Sequence, residues 1–156
     1  MATSRIIGGD RLRAKLRALP VAMRDPIRRA IEASALEVER AAKTSVQRGP
    51  KTGRVYKKYN PRRTHRASAP GQPPATDTGY LASSVHAWMD PDGLGATVQA
   101  HAKYGPYLEY GTENEDGTQR IKPRPFLLPA FERKRKRIAD RIARVVKLVL
   151  QRSGRK

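Results

Sequence analysis

A few groups of residues in this chain have side chains suited to chemistry or to specific binding. Glu109, His101 and Tyr107 lie close in sequence and offer the carboxylate, imidazole and phenol of a general acid–base site. Such catalysis needs a positioned pair with displaced pKa values, which closeness along the chain does not supply. Glu113, Glu115 and Asp116 also cluster, but without the ligand spacing of an EF-hand loop. His65, His86 and His101 are too scattered to suggest a metal centre, and the absence of cysteine excludes disulfides, thiolate catalysis and cysteine zinc sites. Gly8-Gly9 lacks the rest of a phosphate loop, and no H-E-x-x-H, G-x-S-x-G, Walker or dinucleotide pattern occurs. The expectation is a protein that is not an enzyme and holds no cofactor or metal. Glu109 then reads as an acceptor that ties Arg120 or Arg124 to a sheet.

The remaining group is basic. Arg54, Lys57, Lys58, Arg62, Arg63 and Arg66 are interleaved with Tyr56 and Tyr59, a composition suited to phosphate contact with some stacking. No helix-turn-helix, RNP or zinc-finger pattern accompanies them, so the contact expected is with backbone charge and not with base sequence. Across the 156 residues, 33 Lys+Arg stand against 14 Asp+Glu, a net charge of +19. The charge is segregated. Residues 48–76 hold eight basic and no acidic side chains, residues 77–132 hold four basic and eight acidic, and residues 133–156 hold eleven basic with only Asp140 against them. An acidic middle between basic segments implies one face toward an anionic polymer and another toward proteins. The plainer alternative is that basic ends only keep a small protein soluble. Hydrophobic residues make up 38% and never form a membrane-length run, so a thin core, no membrane span and synthesis in the cytoplasm are expected.

The elements that would carry these residues follow from periodicity. Leu12, Leu16 and Leu19 after Asp10 predict a short helix ended by Pro20, within an N-terminal segment 1–24. Ile27, Ile31, Ala35, Val38, Ala42 and Val46 predict a helix over 25–47, capped by Asp25, with Pro26 in its first turn and Gly49-Pro50 stopping it. Residues 48–76, with five prolines, three glycines and no apolar repeat, read as an extended basic arm. The region 77–128 reads as the sheet: Asp77-Thr78-Gly79 caps a short turn of helix at Tyr80–Ser84, and Val85–Met89 pairs with Ala96–Ala100 across Asp90-Pro91-Asp92-Gly93. The stretch from Glu113 to Gly117 reads as an exposed turn. Phe131, Ile138, Ile142, Val145, Val146 and Val149 predict a final helix over 129–152, with Lys134, Arg137, Arg141, Arg144 and Arg152 on its opposite face. The fold class is therefore α+β in a single domain: a small antiparallel sheet built on a hairpin, packed by two long helices, with a long Pro/Gly-rich arm.

Three segments carry a family resemblance. The run from Arg66 to Gly79, RASAPGQPPATDTG, is followed by Leu81 and Ser84; Tyr104 to Thr112 reads YGPYLEYGT; Arg124 to Glu132 reads RPFLLPAFE. In this order they resemble the HK97-type family of small neck or tail-completion proteins of long-tailed phages, prophages and gene transfer agents. The resemblance spans roughly residues 25–150. It implies a structural virion protein at the head–tail junction, forming a ring with copies of itself, commonly sixfold, around the channel through which DNA leaves the capsid. The implied partners are the head-closure or portal-side proteins, the tail-terminator or tail-tube proteins, and DNA met non-specifically. A terminator ring capping the tail tube stays open as an alternative, and so does a basic protein that coats nucleic acid. Beside the resemblance, Tyr107, Glu109, Gly111 and Thr112 are expected to form a strand edge with a tight glycine turn. Arg124-Pro125-Phe126 would pass beneath it, Phe126 filling the core and Arg124 pairing with Glu109. The arm is the expected assembly surface, and deleting residues 50–72 is expected to spare the fold.

Overall fold

A computed structural model describes residues 9–60 and 62–153; Gly8 and the terminal Arg155 and Lys156 lie outside them. The first helix, α1 (Gly9–Arg17), already contains Asp10, the residue expected to precede it as a cap, and buries Leu16. The second, α2 (Val21–Gln47), begins ahead of the expected start at Asp25. Pro20 sits at its cap with φ −52° and ψ 147°, and its carbonyl accepts from Met23 and Arg24. Proline fixes φ near the helical value, so the chain can turn into the helix at once. Asp25 instead pairs with Arg28 and Arg29 inside the helix.

Residues 48–76 contain regular structure where only an arm was expected. Strands β1 (Val55–Tyr59) and β2 (Arg62–Arg66) pair antiparallel, Val55 opposite Arg66 and Tyr59 opposite Arg62. Backbone bonds from Gly53 to Ala67 and from Ala67 to Arg54 extend the ladder. No proline of this segment falls within either strand, and the alternating residues need no buried face because backbone pairing and charge hold the hairpin. Gly53 is required there: a Cβ would run into the Ser68 carbonyl of the returning strand.

Helix α3 (Tyr80–Ser83) and the hairpin of β3 (Val85–Met89) and β4 (Ala96–Ala100) stand where sequence places them. Between Tyr104 and Thr112 the expected strand edge is absent. The chain there forms helix α4 (Gly105–Tyr110), followed by a two-residue strand β5 (Thr112–Glu113) that pairs with β6 (Gln119–Ile121). The exposed turn between them is closed by Asn114 and Thr118. The last helix, α5 (Leu127–Ser153), packs along α2. Among the described residues the architecture is α+β, with three two-stranded antiparallel sheets beside two long helices.

Two apolar clusters hold these parts together. The larger joins Ala42 and Val46 of α2 to Leu81, Ala82, Val85, Ala102, Phe126 and Ala130, all buried. The smaller joins Leu16, Ile27 and Val149. Alanines at 42 and 130 let backbones approach closely, which suits a chain with few large apolar residues. On α5, Val149 is buried and Ile138, Ile142, Val145 and Val146 are half-buried, but Phe131 is exposed. Lys134, Arg137 and Arg141 do not oppose this packing face; they reach across to Glu37 of α2. Among the described residues no helix is long and apolar enough to cross a membrane.

Polar contacts dock α1. Arg13 donates to Asp90 and Asp92 of the β3–β4 turn, at 2.7 and 2.9 Å, and Arg17 donates to Asp92 at 2.6 Å. The Arg13 guanidinium, the Leu94 backbone N–H and Arg17 hold the Asp92 carboxyl far below the usual carboxylate range. A group depressed in the folded state contributes stability at pH values above its unfolded pKa, about 3.9, and loses it as pH falls toward the folded value. Protection of the α1 amides from hydrogen exchange should therefore persist at neutral pH and decay only below about pH 4. Asp92→Asn should remove much of it at pH 7; full protection in that variant would show that α1 is held without Asp92.

Candidate assembly interface

The three motif segments, distant in sequence, meet at one place. Helix α4 ends at Gly111, whose φ of +76° favours glycine and whose Cβ would strike the Ile121 carbonyl. That geometry aims the buried Glu109 side chain at the start of α5. Its Oε2 accepts from the backbone N–H of Phe126 at 2.8 Å and of Leu127 at 3.0 Å, and its Oε1 accepts from Leu128 at 2.8 Å. The first N–H groups of a helix have no partner within it, and a negative charge there also suits the helix dipole. Glu109 therefore caps a helix and pairs with neither Arg120 nor Arg124. Arg124 donates from Nε to the Ser68 carbonyl at 3.2 Å and from its backbone N–H to the Leu108 carbonyl. Ser68 is fully buried, and Gly71 donates to the Pro123 carbonyl. Phe126 has no exposed surface and fills the core, as expected of the Arg124-Pro125-Phe126 segment. Tyr107 is exposed, and Thr112 lies in the short strand β5.

The hairpin that replaces the expected arm has two different faces. Tyr56, Lys58, Arg63 and His65 alternate onto the inner face, and three of them converge on Asp77. Lys58 donates to Asp77 Oδ2, Arg63 approaches the same oxygen at 3.3 Å, and His65 Nδ1 lies 3.8 Å from Oδ1. Lys58 above all, with Arg63 and His65, pulls the Asp77 carboxyl below its ordinary value. Asp77 thus tethers the hairpin and does not cap α3; the cap position belongs to Gly79, whose N–H donates to Thr76 Oγ1. The outer face presents Val55, Lys57, Tyr59, Arg62, Thr64 and Arg66, all exposed. Arg54 lies over the Tyr56 ring at 5.5 Å. Of the basic arm residues, Lys58 and Arg63 are committed to Asp77, while Lys57, Arg62 and Arg66 have no carboxylate partner among the described residues. The expected deletion of residues 50–72 would remove Ser68 and Gly71, which anchor the body, so a deletion that spares the fold must stay within the hairpin.

Two of the three histidines do come together: the His86 and His101 rings lie 6.4 Å apart with Trp88 edge-on to both. No third metal-binding side chain joins them among the described residues. His101 does not join Glu109, whose two oxygens are occupied by backbone donors. Tyr104 and Tyr80 are both partly exposed with ring centroids 6.3 Å apart, and the partial burial of Tyr104 raises its phenol pKa above the ordinary value. On the hairpin, exposed Tyr56 beside Arg54 has the composition enriched at protein interfaces. Sequence reading missed Ser68, the Asp77 tether and the Glu37 cluster. Asp77 had a signal, as the first carboxylate after the acid-free stretch 48–76; Glu37 had none, its cations lying far along the chain.

No protein-family model, no curated protein and no solved structure matches the chain. The geometry at Glu109 generates its own test. Glu109→Gln keeps the shape but removes the charge and turns one acceptor into a donor facing an N–H. A loss of about 2–3 kcal/mol in denaturant unfolding is expected, with helix content reduced first near α5. Unchanged stability would remove the capping interaction from the account.

Proposed function

We propose that this chain is a structural subunit of a phage neck, assembling with copies of itself into a ring at the head–tail junction and letting DNA pass through its channel. The observation that carries the reading is the ordered set of three motif segments, which bind one another through Glu109, Arg124 and Ser68 in a single buried junction. A resemblance made of residues that jointly define one junction is stronger than one made of scattered matches. The role is structural and without catalysis, its place is the virion, and its partners are further copies, head-closure or portal-side proteins and tail-terminator or tail-tube proteins. The outer hairpin face, with Lys57, Tyr59, Arg62 and Arg66 exposed, is the contact element in this reading. Where DNA meets the protein the contact is with phosphate charge, weak and salt-sensitive, which lets the duplex slide. A terminator ring on the tail tube is the variant reading, since similar folds serve both places.

Replacing residues 54–66 by a short Gly/Ser linker from Gly53 to Ala67 tests the contact element while keeping Ser68, Gly71 and Arg124 in place. Heads and tails are expected to accumulate unjoined, with the variant melting as the parent does. Normal yields of infectious particles from this variant would contradict the assignment.

A further inference from the structure

The cations of α5 that sequence places on an outward face instead line a groove. Lys134 Nζ, Arg137 Nη1 and Arg141 Nη2 approach Glu37 of α2 at 3.4, 3.4 and 2.7 Å. Arg141 is fixed in place, because it also donates to Ser34 Oγ at 2.9 Å. Lys134 and Arg137 are held loosely by a carboxylate already satisfied by Arg141. Three cations on one carboxylate leave two positive charges uncompensated, and Arg40, Arg48 and Arg133 stand on the same rim with no carboxylate partner among the described residues. The groove they surround has a volume of about 920 Å³. Between the cations its floor is mostly apolar, with Ala33, Ala41, Pro50, Pro73 and Leu36, the last left 51% exposed, beside the hydroxyls of Thr44 and Ser45.

We propose that this α2–α5 groove binds an acidic amphipathic helix of a partner protein, its leucine-like side chains on the alanine floor and Leu36, its carboxylates against Arg40, Arg48, Arg133 and Arg137. Charge complementarity selects an anion, and the floor selects among anions. A phosphodiester backbone gains nothing by covering Ala33, Leu36 and Ala41, whereas an amphipathic helix removes that apolar surface from water. A second copy of this chain is disfavoured, because its own long helices would bring like charges to the rim. Its exposed acidic cluster, Glu113, Glu115 and Asp116, lies in β5 and the turn after it and not on a helix, and the exposed carboxylates of α5, Glu132 and Asp140, stand among that helix's own cations. The inference goes beyond the neck reading and does not depend on ring formation.

The test uses the full chain and a labelled synthetic helix-forming peptide, with leucine at i, i+3, i+4 and i+7 and glutamate elsewhere. Controls are a peptide of the same composition with its leucines dispersed, and mixed-sequence duplex DNA. Stoichiometric binding of the amphipathic peptide by fluorescence anisotropy at physiological salt is expected. Leu36→Glu, and separately Arg40→Glu with Arg133→Glu, should each weaken it at least about tenfold, and the dispersed peptide should be weaker by a similar factor. All three positions are exposed, so melting temperatures should hold, and the charge-reversal pair keeps the test valid if Leu36→Glu unfolds α2. Equal binding of the dispersed peptide, or peptide displacement by DNA with Leu36→Glu without effect, would overturn the proposal in favour of a general polyanion surface. A changed oligomeric state of the charge-reversal variant without peptide would overturn it in favour of a second copy. Absence of peptide binding would overturn it outright.

Discussion

The buried carboxylate of Glu109 is the interaction on which the rest of this structure depends. It takes three backbone N–H groups at the start of α5, a helix that runs to Ser153 and supplies one wall of the fold. Without it the first turn of α5 would hold unsatisfied donors in the same place where Phe126 must be fully buried. Holding Phe126 there closes the larger apolar cluster over Val46 and Val85. Arg124, two residues upstream, can then reach the Ser68 carbonyl and pin the base of the hairpin. One side chain thereby couples helix capping, core packing and the attachment of the basic segment.

The wider constraint is a shortage of anions. With 14 acidic residues against 33 basic ones, a carboxylate cannot be given to every cation, and several serve as hubs. Asp92 docks α1, Asp77 tethers the hairpin, Glu37 gathers three cations of α5, and Glu39 joins Lys43 to the Ala87 N–H of β3. Each hub links elements or surfaces that apolar contact alone would hold weakly in so thin a core. The arrangement also decides which surfaces remain cationic. The outer hairpin face and the α2–α5 rim keep their excess charge because the available carboxylates lie elsewhere or are saturated.

The elements legible from sequence were those with a long or strict period. The turn Asp90-Pro91-Asp92-Gly93 between two β-capable runs gave the β3–β4 hairpin to the residue, the stripe from Ile27 to Val46 gave α2 with the right end but a start four residues late, and the stripe from Ile138 to Val149 gave α5. Helix α4 was not legible, since GPYLEY mixes a glycine, a proline and two tyrosines over less than two turns. A distant interaction, Glu109 with the start of α5, accompanies that local preference and outweighs it. The β1–β2 hairpin was hidden by its prolines, glycines and charge, because backbone pairing and a carboxylate at position 77 stabilise it without any apolar face. The Glu37 groove was invisible for a simpler reason: its two walls are nearly a hundred residues apart.

Particle imaging of nuclease-treated protein at high salt, alone and with purified tails, tests the central claim most directly. The neck account predicts rings of fixed subunit number, free or seated on the tube end, that survive both treatments. A uniform monomer that ignores tails, yet retains nucleic acid at low salt, would contradict it and favour a protein that coats nucleic acid.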